Sequence, residues 1–298
     1  MEDLKNNRST LGIVALAGLF ALPAGCAEAT GTLDVEVSGE EAATMGFPVG
    51  DITFADGWTV SFEHLFVALD DFHLAAGERR LALEAEPTVV DLAEGDQLLW
   101  SFAAIPAQRW PEVGYAIAPP TASARRLGRV RTEDVAALVA AGASFRMIGA
   151  ATHPTHGRFE IDLALPLNVR TSGCVSGRDE TDGVVIPTNG TRASQITLHL
   201  DHLFFDSARA EEPALRFEAW AAAAGADRTV TYEDLATQRL ADLRGLDGMP
   251  LDDESGALIA YEPPSTGLPS QTLQAFVLGM AVTIGHFEGE GHCDYEAR

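Results

Sequence analysis

Lysine is almost missing from this chain: of its 298 residues only Lys5 is one, and every other basic side chain is arginine. That usage reads as genome composition rather than chemistry. Positive charge is scarce altogether, with 20 Lys and Arg against 44 Asp and Glu and a formal net charge of −24. Such a balance argues against nucleic acid as a partner and against electrostatic docking on anionic lipid. It is compatible with cation binding, although solubility alone accounts for it. Recognised catalytic signatures are lacking too. There is no Gly-x-Ser-x-Gly, no His-Glu-x-x-His, no Cys-x-x-Cys and no phosphate-binding glycine loop. Carboxylates are too abundant for any pair to stand out. Beyond residue 22 no apolar run is long enough to span a membrane.

What is present begins at the N-terminus. Lys5 and Arg8 give a positive start that Glu2 and Asp3 offset, and an apolar run then extends from Leu11 to Leu22. At about 1.5 Å per residue that run falls short of a hydrocarbon layer of ~30 Å, and it has the length of a signal-peptide core. Pro23-Ala24-Gly25-Cys26 follows and resembles the lipobox of bacterial lipoproteins, departing from it at Pro23, where an aliphatic residue is usual. Residues 1–25 are therefore expected to be a lipoprotein signal peptide, with lipid on Cys26 and a short tether over 26–31. The rival is a plain secretory signal cut after Gly25 or Ala29. Two acyl chains on one cysteine suffice for stable anchoring, and the domain would sit close to the membrane.

After Cys26 about 272 residues remain, enough for a sizeable core. With Cys26 lipidated, Cys174 and Cys293 have a single pairing open to them. Export favours a disulfide over the alternative, a pair of thiolate metal ligands.

Periodicity predicts mainly β structure. Leu33-Val35-Val37 alternate with Thr32-Asp34-Glu36, the period of a half-buried strand. Trp58, Val60 and Phe62 keep an even phase and Leu65, Val67 and Leu69 an odd one, which places a bulge near His64. Hairpins are expected at 72–83 and around His153-Pro154-Thr155-His156-Gly157, a further strand at 113–118, a short helix from Thr132 to Gly142, a long loop over 166–190, and a strand over 195–205. Helical patterns follow at 213–224 and 232–243, and from Gln271 to about His286 with Ser270 as cap. The expectation is a β-sandwich-like region over 32–206 with a helical C-terminal portion over 207–298 packed on it.

Two constellations carry chemistry. Ala223 to Asp234 fits the frame of a twelve-residue EF-hand loop, with Asp227 fifth and Asp234 twelfth, but Ala223, Gly225 and Arg228 stand where two carboxylates and the turn glycine belong. Calcium needs six to eight oxygens, so the loop reads as a helix–loop–helix that has lost its ion. The sharper feature is histidine. His199-Leu-Asp201-His202 lies in a strand, and His286-Phe-Glu-Gly-Glu290-Gly-His292 precedes Cys293. Imidazoles from separate elements, with Asp201 or Glu290 beside them, suit zinc or copper. Strand alternation sets His199 and His202 on opposite faces, unless the strand ends or bulges there. The bland reading makes each a hydrogen-bonded structural residue. His153 and His156 read as solvated turn residues, His64 and His73 as core or rim.

The run from Leu198 through Asp206, Leu215-Arg216-Phe217, the EF-hand-like loop, the segment from Gly285 to Cys293, and Asp56-Gly57-Trp58-x-Val60-x-Phe62 together resemble a group of bacterial lipoproteins. The resemblance implies anchoring and architecture, and no activity.

The leading expectation is an exported, lipid-anchored, non-catalytic protein of the cell envelope, on the outer membrane at its periplasmic or surface face. It would bind a transition metal through His199, His202, His286 and His292. The alternatives are a structural or protein-interaction module with an unidentified partner and no metal, and a metal-dependent enzyme. Convergence of the four histidines is expected because the bridge would bring Cys174 beside Cys293, and His292 is its neighbour.

Overall fold

Leu33, Val35 and Val37 are fully buried along the first strand while Thr32, Asp34 and Glu36 stay half-exposed, the alternation their sequence predicts. The computed structural model describes residues 28–83, 86–253, 255–268 and 271–298. The segment expected to be a signal peptide, Cys26 and the expected cap Ser270 lie outside the described residues.

In chain order the strands are β1 (Thr30–Ser38), β2 (Thr59–Ala76), β3 (Arg79–Ala82), β4 (Thr88–Asp91), β5 (Gln97–Pro106), β6 (Arg109–Trp110), β7 (Glu112–Ile117) and β8 (Arg125–Arg126). They continue as β9 (Phe145–His153), β10 (Gly157–Leu165), β11 (Val169–Ser172), β12 (Val184–Val185), β13 (Thr191–Leu198), β14 (Thr229–Thr231), β15 (Gly285–Phe287) and β16 (Asp294–Ala297). The helices are α1 (Glu40–Met45), α2 (Thr132–Ala141), α3 (Glu218–Ala223) and α4 (Leu273–Ala281).

Two sheets make a sandwich-like, mainly β fold. The smaller has the order β15-β13-β1-β5, with β1 parallel to β13. The larger runs β14-β10-β9-β2-β7-β11-β16, with β3 and β4 branching from β2 and β8 pairing with β4. Leu33, Val35 and Ile196 of the small sheet share one core with Leu65, Met147 and Ile161 of the large one. On the far face of the large sheet Phe66, Ala68 and Val89 pack under Val135 and Leu138 of α2. Both faces of β2 are therefore covered, which is why Leu65 to Leu69 are buried without alternation. The bulge expected near His64 is there, as a register shift between Phe62 and His64 against β9.

The C-terminal portion carries α3 and α4, but less helix than its composition suggested. Tyr232 to Leu243 winds into a single 3₁₀ turn, Asp234–Thr237. The last helix is capped by the Thr272 hydroxyl, which accepts from Ala275 N at 3.2 Å. It stops at Ala281, before the β-branched run Val282-Thr283-Ile284, so His286 belongs to a strand and not to a helix end. The stretch 166–190, expected as loop, contributes β11 to the large sheet and β12 to a small ribbon with β6. Cys174 and Cys293 form the expected disulfide, with Cα atoms 4.0 Å apart.

Candidate metal centre

The histidine cluster is assembled by the edge of the small sheet. β13 ends at Leu198, and Leu200–Phe204 winds into a 3₁₀ turn directly after it. That change of period overrides strand alternation and brings His199 and His202 to one side, with ring centroids 5.6 Å apart. β15 pairs antiparallel with β13 so that His286 lies opposite Thr197, two residues short of His199. The His286 ring consequently comes to 4.3 Å from His199 and 5.2 Å from His202, centroid to centroid. After β15 the chain turns back, Phe287 N donating to Gly291 O at 2.7 Å, and the turn presents Glu290. One donor atom each from His199, His286 and Glu290 then lie within 4.8 Å of one another.

A backbone this close needs glycine. A Cβ on Gly285 would stand 2.6 Å from the Tyr115 hydroxyl, which donates to His286 O at 3.2 Å and ties the large sheet to β15. One on Gly291 would collide with Val175 O.

The imidazoles differ in their partners. His202 Nδ1 sits 3.1 Å from Thr283 O, and since a carbonyl only accepts, Nδ1 carries the proton and leaves Nε2 with its lone pair. His199 is 6 % exposed, with Nε2 3.4 Å from Gly289 O and Nδ1 3.5 Å from Glu40 Oε2. His286 Nδ1 is buried and has no partner in hydrogen-bonding geometry among the described residues. Burial, reinforced by the charge of His199, pushes His202 and His286 down to about 4. Both are therefore neutral donors at ordinary pH. Burial works the other way on the carboxylates and raises Glu40 and Asp201, against the pull of His199.

Behind the turn, Glu288 is fully buried. It accepts from the Ser176 hydroxyl at 2.7 Å, and the Arg192 guanidinium meets both its oxygens at 2.7 Å. Gly177 N donates to Phe287 O at 3.1 Å and Val175 N to His292 O at 2.9 Å, so the loop after Cys174 is strapped along the turn.

Not every expected ligand arrives. The His292 side chain is exposed and stands apart from the group that offers donors, because it alternates with the inward-facing Cys293. Glu290 supplies the third donor instead. Asp201 lines the adjoining cleft without joining the three. Glu40 was not foreseen, and no local pattern marks it. It reaches the site because β1 runs parallel to β13 with Ser38 opposite Thr197. The cleft it borders measures about 520 Å³ and includes Glu41, Phe47, Ile52, Asp201 and Phe205 in its lining.

The EF-hand-like stretch is not a helix–loop–helix. α3 ends at Ala223, and the chain then forms β14 beside β10. Asp227 Oδ1 accepts from Thr229 N at 3.2 Å, and Asp234 Oδ2 from the Thr231 amide and hydroxyl at 2.9 and 2.6 Å. Arg228 lies 3.9 Å over the Phe159 ring. These carboxylates cap their own backbone.

The remaining histidines have local roles. His153 and His156 stack at 4.6 Å beside the buried Trp58. His64 Nδ1 lies 2.6 Å from Asp91 Oδ2, and His73 is buried with Nδ1 3.1 Å from Asp71 O. No protein-family model, curated protein or solved structure matches the chain.

Proposed function

We propose that this is a lipid-anchored protein of the bacterial cell envelope whose domain holds a transition metal ion, zinc or copper, through His199, His286 and Glu290, with His202 alongside. The observation that carries the reading is the His286 imidazole: it gives one of three donor atoms within 4.8 Å of one another, and its buried Nδ1 has no hydrogen-bond partner among the described residues. A buried polar atom left unpaired costs free energy, and a metal ion supplies the missing partner. Donors on a tetrahedral ion at ~2.1 Å stand about 3.4 Å apart, so closure takes roughly an ångström of movement. Glu290 can provide it, since its side chain is 83 % exposed. His202 keeps the second-nitrogen hydrogen bond typical of an imidazole near a metal. Two nitrogens and a carboxylate oxygen suit zinc and copper alike.

Elemental analysis of the chain purified without a histidine tag should find about one zinc or copper ion per molecule. His286→Ala should lose it and His292→Ala should keep it. Equal metal in the His286→Ala protein, or none in the parent after incubation with either ion, would leave the domain as a structural or interaction module.

Anchoring has its own test. Cys26→Ser should move the protein from the membrane to the soluble fraction. A normally processed mutant that stays in membranes would remove the anchor.

A further inference from the structure

Resting on the metal reading above, we propose that the chain supplies three donors and leaves one coordination position facing the cleft, where a small neutral nitrogen donor of the imidazole type binds in preference to an anion. All three donors come from one side: His199 from the end of β13, His286 from β15, and Glu290 from the turn behind it. His202 does not complete a set of four. Thr283 holds only its Nδ1, and His202 is nonetheless outside the group of donors lying within 4.8 Å of one another. Three protein ligands with a fourth position open is the arrangement of sites that exchange a ligand, whereas purely structural sites are closed by four.

The open side is a shaped space. His199 and Glu290 line a cleft of about 520 Å³, and the wall facing them is built by α1 and the segment that follows it. That volume lies in the range of small-molecule sites. Phe47, Val49 and Ile52 give the wall an apolar surface against which a flat ring can lie. The lining is rich in carboxylates. Glu40, Glu41, Asp51, Asp201 and Glu290 all belong to it, and among the described residues no arginine or lysine does. An anionic ligand would approach the ion through this field of like charge, which opposes the attraction of the ion itself. A neutral donor meets no such barrier.

Cobalt(II) can stand in for the native ion and reports its ligands in the visible spectrum. The full-length protein, stripped with chelator and loaded with cobalt, is titrated with imidazole and separately with azide. The expected result is a saturable change in the cobalt spectrum with imidazole, and an azide affinity at least tenfold weaker. Glu41→Gln combined with Asp51→Asn, both exposed lining residues, should narrow that ratio several-fold. A cobalt spectrum that depends on His286 yet ignores imidazole would overturn the open position while leaving the metal site intact. Azide binding as tightly as imidazole would overturn the preference. Cobalt that does not bind, or binds equally to His286→Ala, would remove the metal reading and this proposal with it.

Discussion

Glu288→Ala should destabilise the metal-free protein by about 3 kcal/mol, the lower end of the range for breaking a buried ion pair, and weaken metal binding about 10- to 100-fold, as loss of an outer-shell support does. The side chain is wholly inaccessible, and its two oxygens take the Ser176 hydroxyl and the Arg192 guanidinium. Removing it leaves Arg192 facing a cavity with no counter-charge. Arg192 is 29 % exposed, so water recovers part of the loss, which sets the estimate near the lower bound. The effect on metal follows from position. Glu288 sits between His286 and Glu290, and it fixes the turn whose far end offers the carboxylate donor. Urea unfolding in chelator gives the first quantity, and competition with a chromophoric chelator gives the second. Glu288→Gln keeps an acceptor for Ser176 and should fall between the two proteins. Replacing both Glu288 and Arg192 by leucine should restore most of the stability, because an apolar pair of similar volume often matches a buried ion pair. Stability and metal affinity both unchanged in Glu288→Ala would show that the disulfide and the strapping bonds hold the turn unaided.

The fold was legible where periodicity is local, and the site was not, because its geometry arises at element ends. β1 could be read from Leu33-Val35-Val37, and the bulge of β2 from the shift of phase at His64. His199 and His202 read as opposed because alternation was assumed to run through Phe205. The strand ends at Leu198, and the 3₁₀ turn puts both rings on one side. Helix is predicted as far as His286 because the apolar pattern of α4 continues past Ala281. The β-branched run after it and Gly285 convert that continuation into a strand edge. Counting along the chain from the disulfide suggested that His292 would join. Inward and outward residues alternate there, and Cys293 takes the inward place. Glu40 carries the larger lesson. It lies far from His199 in sequence, and only the parallel pairing of β1 with β13 sets it 3.5 Å away. Parallel registers leave no short-range trace in a sequence.

Acidification from pH 7 to pH 5 should destabilise the metal-free protein by about 2–4 kcal/mol, from His202 and His286 together. The direction follows from the proton count. Burial holds both imidazoles at about 4, below the ~6.5 they take in the unfolded chain. Above the unfolded value neither state is protonated, and the stability is fully present. As pH falls through that value the unfolded chain gains protons that the folded state refuses, and stability drops by up to ~1.4 kcal/mol per pH unit for each imidazole. The loss stops once pH passes the folded value near 4. Glu40, Asp201 and Asp56 act in the opposite sense. Burial raises all three, so as pH falls the folded state binds protons there before the unfolded chain does, and part of the loss is offset. The two histidine rings lie 5.2 Å apart, so the summed effect is the measurable one. Urea midpoints in chelator at pH 7, 6 and 5 give the slope for the parent and for His286→Gln, which should lose about half of it. A slope of the same size in the variant would mean that other groups carry the acid sensitivity and that His286 is solvated enough to titrate normally.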